Sequence, residues 1–167
     1  MSSIEWMGRY RHLVGALVQH SNTFSHSGSK MELRPGCSLS SQEWQTLEYL
    51  IEFENADLNM AAISRGLGLA TSSLSKYLNT LCKMKLVERY RLAGNRKSII
   101  PKPTALGHEV YRAGVENIIG RNFQEFFADL YVLTDEQLEQ VACALERFNL
   151  RMRRHEEPEL IPVKEEE

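Results

Sequence analysis

The stretch NMAAISRGLGLATSSLSKYLNTLCKMKL, Asn59 to Leu86, decides the fold. Asn59 is an N-cap residue for a short helix carrying Met60, Ile63 and Leu67, and Gly68 can take the left-handed conformation that ends it. After a three-residue turn a second helix opens at Thr71. Its apolar positions Leu74, Leu78 and Leu81 recur every three or four residues, while Ser72, Lys76, Asn79 and Lys83 line the other side. A short helix, a tight glycine turn and a second helix with a polar exposed face make a helix-turn-helix.

Downstream, VERYRLAGNRKSIIP changes the pattern to β-branched and aromatic residues flanking Ala93-Gly94-Asn95, so residues 87 to 101 read as a two-stranded hairpin with a basic tip. Pro101 and Pro103 cannot donate to a ladder, so the second strand is an edge strand or ends there. Residues 105 to 130 then carry Val110, Val115, Ile118, Ile119, Phe123, Phe126, Phe127 and Leu130 at helical spacing. Thr134 with Gln137 forms a capping box that opens a last helix bearing Leu138, Val141, Leu145 and Phe148. The end, HEEPELIPVKEEE, reads as a disordered acidic tail.

Upstream, Ser40 stands three residues before Glu43 in LSSQEWQTLEYL, a second capping box, and Trp44, Leu47, Leu50 and Ile51 give that helix its buried stripe. Ser21 to Ser38 is polar and reads as a long loop or arm. Ile4, Met7, Tyr10, Val14, Leu17 and Val18 make residues 3 to 20 an amphipathic helix. The expected fold is mainly α with a small β-hairpin wing: a winged helix-turn-helix over 39–104, flanked by an N-terminal dimerisation helix and polar loop at 1–38, C-terminal dimerisation helices at 105–153 and a tail at 154–167.

Charge is the second guide. The chain of 167 residues has a formal charge of −2, which taken alone speaks against nucleic acid as a partner. Residues 58–103, however, hold nine lysines and arginines against the single acid Glu88, a net of +8, and the remainder carries −10. Apolar residues at 43% and charged residues at 25% place the chain among folded globular proteins. No apolar run approaches the roughly 18 to 20 residues of a membrane span or suits a signal peptide, so a cytoplasmic protein is expected. Cys37, Cys82 and Cys143 are few, odd and widely spaced, and are expected to be reduced thiols. His12, His20, His26, His108 and His155 lack ligand spacing, so neither a metal nor another cofactor is expected. With no P-loop, no H-E-x-x-H and no G-x-S-x-G, catalysis is not expected either.

The helix starting at Thr71 has exposed amides, a partial positive charge and small side chains at its N-terminus, which suit close approach to phosphates and base edges in a major groove. Thr71, Ser72, Ser73 and Ser75 supply hydroxyls, and Lys76 and Asn79 reach further along the same helix. Arg96 and Lys97 at the hairpin tip suit a narrow minor groove. These eight residues are the expected DNA contacts. A solvated basic face, or docking of this module on an acidic protein partner, is the competing reading. For the hydroxyls it is simple capping.

At this point the chain resembles the MarR family of bacterial transcription regulators, from about Leu33 to Gly107. LSSQEWQTLEYL is similar to the family's second helix, MAAISRGLGLATSSLSKYLNTLCKMKLVER to its helix-turn-helix, and GNRKSIIPKPTALG to its wing and the entry to the fifth helix. Where the family's wing usually shows Asp-x-Arg, Asn95-Arg96-Lys97 stands here, and Pro101 and Pro103 replace the usual strand residues.

A winged helix of about 65 residues closes its own core, which leaves Phe123, Phe126, Phe127 and the first helix uncovered. A homodimer would bury them and favour a pseudo-palindromic operator. The resemblance implies a repressor released by a small-molecule effector or by cysteine oxidation near the junction of the dimer helices and the DNA-binding lobes. Tyr10, Trp44 and Tyr111 are candidates to line such a junction, against the simpler reading of core aromatics. Cys82 and Cys143 fit buried positions, and Cys37, in the polar loop, is the thiol whose expected exposure suits redox chemistry.

Overall fold

The computed structural model describes residues 5–26, 30–92, 95–116 and 120–153; side chains are described except at 5–6, 24–26, 92, 95–97, 120–122 and 153. A 3-10 segment at Glu5–Tyr10 leads into α1 (Arg11–His26), followed by strands β1 (Met31–Arg34) and β2 (Cys37–Leu39). Helix α2 (Ser41–Glu52), a 3-10 turn at Glu54–Ala56, α3 (Met60–Leu67) and α4 (Thr71–Lys83) come next, then β3 (Val87–Leu92) and β4 (Asn95–Pro103). Helices α5 (Ala105–Gly114), α6 (Gly120–Leu130) and α7 (Asp135–Arg153) complete the described chain. Contacts divide it into two units, residues 1–121 and 122–167.

The fold is the expected winged helix-turn-helix. Ser40 and Glu43 close both halves of their capping box, with Ser40 N donating to Glu43 Oε2 at 2.8 Å and Glu43 N to Ser40 Oγ at 3.3 Å. Asn59 Oδ1 accepts from Ala62 N at 2.9 Å and starts α3. Gly68, at φ 73°, ends it in the left-handed conformation, with Leu69 N donating to Ser64 O at 3.0 Å. The same closure ends α4 at a residue that is not glycine. Lys85 has φ 58°, its N–H donates to Cys82 O at 3.0 Å, and Leu86 N donates to Leu81 O at 2.9 Å.

Leu74, Leu78 and Leu81 of α4 meet Leu47, Leu50 and Trp44 of α2, Ile63 of α3, Leu86 and Val87 entering the wing, and Val110 of α5 in one buried core. Trp44 stacks on Tyr111 with ring centroids 4.9 Å apart. Gly114 lies so close that a Cβ there would stand 2.5 Å from the Trp44 ring.

Three readings of the sequence need correction. Residues 3–20 are not one helix: the backbone breaks at Gly8, at φ 49° and ψ −132°, a conformation that glycine tolerates, and α1 runs on to His26. The stretch expected as a polar arm thus begins as helix and continues as an antiparallel hairpin, Met31 opposite Leu39 and Arg34 opposite Cys37. Leu33, Cys37 and Leu39 of that hairpin enter the core, so Cys37 is only 6% exposed. The chain is helical from Ala105 through residues 115–116, where the turns widen, and again from Gly120 to Leu130; the reading of 105–130 as one helix turns on residues 117–119, which lie outside the described residues.

The wing is antiparallel, pairing Val87 with Pro103 and Arg89 with Pro101, with a register break between Arg91 and Leu92. In a sheet of two strands both are edges, so β4 accommodates Pro101 and Pro103 by turning their nitrogens away from β3. The turn centre Ala93-Gly94 lies outside the described residues. So does the acidic tail.

In the second unit, Thr134 and Gln137 form their capping box, with Gln137 N donating to Thr134 Oγ1 at 3.2 Å and Thr134 N to Gln137 Oε1 at 3.0 Å. Phe123, Phe126 and Phe127 cluster on α6, with centroids 5.4 to 6.2 Å apart, and are 44%, 53% and 60% exposed. No helix among the described residues is long and apolar enough to cross a membrane.

Candidate nucleic-acid interface

Helix α4 is anchored on one side by three fully buried leucines, and this fixes which residues face outward. Ser72, Lys76 and Asn79, spaced by four and three, share the opposite face and are exposed, with Thr71 exposed beside them at the helix start. Ser73 and Ser75 are half-buried towards the flanks of that face. No side chain caps α4 at Ala70, so its first amides have no partner from the residue that normally supplies one. Four of the eight expected contacts therefore share one exposed surface, and two border it. Arg96 and Lys97 belong to β4, and their side chains lie outside the described set.

The basic block is not uniformly available. Lys102 pairs with Asp57 Oδ1 at 2.6 Å and also donates to the carbonyl of Glu54, which commits it to bracing the α2–α3 connection against β4. His108 Nε2 stands 3.1 Å from Glu54 Oε2 and braces the same connection from α5. Arg89 of β3 reaches α4: its Nη2 donates to Asn79 Oδ1 at 2.8 Å. The alternation of β3 carried the signal, because Val87 is buried beside α4 and Arg89 lies two residues on, on the same face.

Of the three aromatics weighed for a junction, Trp44 and Tyr111 are occupied with each other, and Tyr111 Oη donates to Glu48 Oε1 at 3.1 Å. Burial and the Glu48 carboxylate push the Tyr111 phenol up. Tyr10 is exposed, with the Arg9 guanidinium 5.2 Å from its ring centre. Burial also pushes the Cys37 thiol up, against a smaller opposing pull from Arg34, so the thiol expected to be exposed is buried instead. Cys82 and Cys143 are half-buried, and Cys143 Sγ donates to Glu139 Oε1 at 3.3 Å.

A polar helix face over a leucine-anchored helix-turn-helix, followed by a basic hairpin, defines the class: winged helix-turn-helix proteins. Residues 38–98 match the family model of the MarR family, the family that the sequence resembles. Comparison with curated proteins gives no match. Among solved structures, the chain resembles a MarR/EmrR family transcriptional regulator from Acinetobacter sp. ADP1 at 19% identity and TM-score 0.64, covering 86% of this chain and 96% of that one. It resembles S. aureus MepR in a complex with DNA at 16% identity and TM-score 0.56, covering 91% and 99%. It also resembles NadR in complex with 4-hydroxyphenylacetate at 20% identity and TM-score 0.59, covering 82% and 92%. These likenesses establish a shared fold.

Proposed function

We propose that this chain is a homodimeric, sequence-specific transcription regulator that binds a pseudo-palindromic operator in duplex DNA and is released from it by a small-molecule effector, acting as a repressor. The observation that carries the reading is the exposed row Ser72, Lys76 and Asn79 on a helix whose other side is locked into the core. Such a row can enter a major groove without the domain unpacking. The local charge of +8 supplies phosphate attraction, and the acidic remainder discourages nonspecific association. The uncovered phenylalanines of α6 and the exposed Leu13, Leu17 and Val18 of α1 support a second copy as their cover. That relatives of this fold have been solved with DNA and with a small aromatic acid supports both the operator and the effector. The burial of Cys37 favours a bound effector over oxidation of that residue.

Selection of fragments from random duplexes followed by a salt titration tests the reading. An enriched inverted repeat and an affinity that falls steeply with salt are expected. No enrichment, or affinity indifferent to salt, overturns it in favour of docking on a protein. Lys76→Ala is expected to weaken operator binding about 5- to 10-fold and lower the salt slope by about one, with the dimer intact in sedimentation.

A further inference from the structure

The contact between Arg89 and Asn79 restricts what the recognition face can read. A guanidinium has only donors, so the 2.8 Å bond settles the orientation of the amide: Oδ1 is turned to Arg89 and Nδ2 is turned away from it. Both side chains are exposed, with Asn79 on the same face as Ser72 and Lys76. Asparagine ordinarily reads adenine, accepting from its N6 amino group while donating to N7. Here the oxygen already faces a cation, and an adenine amino group approaching it would meet the positive charge and N–H groups of Arg89. Together the two side chains offer donors: the amide N–H pair of Asn79 and the remaining N–H groups of Arg89. Guanine, whose O6 and N7 both accept, is the complementary edge.

We propose that Arg89 is a positioning residue that turns Asn79 from an adenine reader into a guanine reader. The geometry is built into the chain. The left-handed turn at Lys85 brings β3 back beside α4, and buried Val87 sets the face of the strand from which Arg89 projects. The charge of Arg89 is also felt by Cys82, one turn beyond Asn79, where it partly offsets the upward push of burial on that thiol. The inference rests on the DNA-binding reading above.

The test compares sequences selected from random duplexes by the full chain with those selected by its Asn79→Ala, Arg89→Met and Arg89→Lys variants. Asn79→Ala is expected to flatten one base position in each half-site. Wild type should favour guanine over adenine there by about tenfold, Arg89→Met should lose at least about fivefold of that preference, and Arg89→Lys, which keeps a donor, should retain it. Thermal melts of all variants should match wild type, since both side chains are exposed. Adenine at that position in wild type, an unchanged preference in Arg89→Met, or no position flattened by Asn79→Ala would overturn the inference while leaving DNA binding standing. Only a wild-type chain that enriches no sequence would overturn both.

Discussion

Residues 31–114 and the helices on either side of them use apolar residues in opposite ways. Of the 18 exposed large hydrophobic residues among those described, only Phe53 and Tyr90 lie between 31 and 114, whereas that same stretch supplies every buried member of the core. The winged helix is satisfied by its own residues. The flanking helices are apolar without being covered, which is the pattern that the proposed second copy accounts for. Affinity for DNA and affinity for a second copy should accordingly be separable by substitution.

The largest test of that separation is the pair Phe126→Glu and Phe127→Glu. Two carboxylates in place of two exposed phenylalanines should convert the proposed dimer to a monomer, halving the mass in sedimentation equilibrium. The loss is several kcal/mol, at about 1.5–3 kcal/mol per buried ring. A dimer that survives would show that α6 is not the covered face. Trp44→Ala probes the other region: removing the ring that fills the space between α2 and α5 should cost about 3–5 kcal/mol in chemical denaturation. Its oligomeric mass at native conditions should stay unchanged. If that variant also dissociates, the two regions are not independent.

Smaller effects sharpen the same contrast. Lys85→Gly relieves a left-handed residue at the end of α4 and should stabilise the winged helix by about 1 kcal/mol, read as a shifted denaturation midpoint. Cys37 gives the smallest signal. Its thiol is raised in the folded chain, so the unfolded chain releases that proton at lower pH. The contribution of the neutral thiol to stability is full below the ordinary thiol range and is lost as pH rises from there through the raised value of the folded chain. Alkylation by iodoacetamide at mildly alkaline pH should be at least about tenfold slower at Cys37 in the folded protein than in urea, followed by peptide mass spectrometry.

Legibility in the sequence followed the reach of the signal. Ser40 with Glu43, Thr134 with Gln137, Asn59 and Gly68 act on amides within a few residues of themselves, and each does what its local pattern predicts. The leucine row of α4 was equally plain, because a regular helix converts spacing directly into a face. The β1–β2 hairpin was not. Its strands have four and three residues, too short for alternation to stand out from a polar stretch, and its apolar members Leu33, Cys37 and Leu39 gain meaning only against α2 and α5. The continuation of α1 past His20 was hidden by Ser21, Asn22 and Thr23, poor helix formers that a helix already under way can carry. At the candidate interface the exposed row was visible in advance, whereas the contact of Arg89 with Asn79 depends on how a strand returns beside a helix.

Thr104 carries a consequence of another kind. Its amide donates to Leu86 O at 3.0 Å, its hydroxyl donates to Lys85 O at 2.7 Å, and the same oxygen accepts from Gly107 N at 3.0 Å to start α5. The hairpin is thereby latched at its root, where it leaves one helix and meets the next. Residues can be gained or lost in pairs at its far end without displacing either helix. A change in hairpin length is therefore expected to leave the frame that carries it in place.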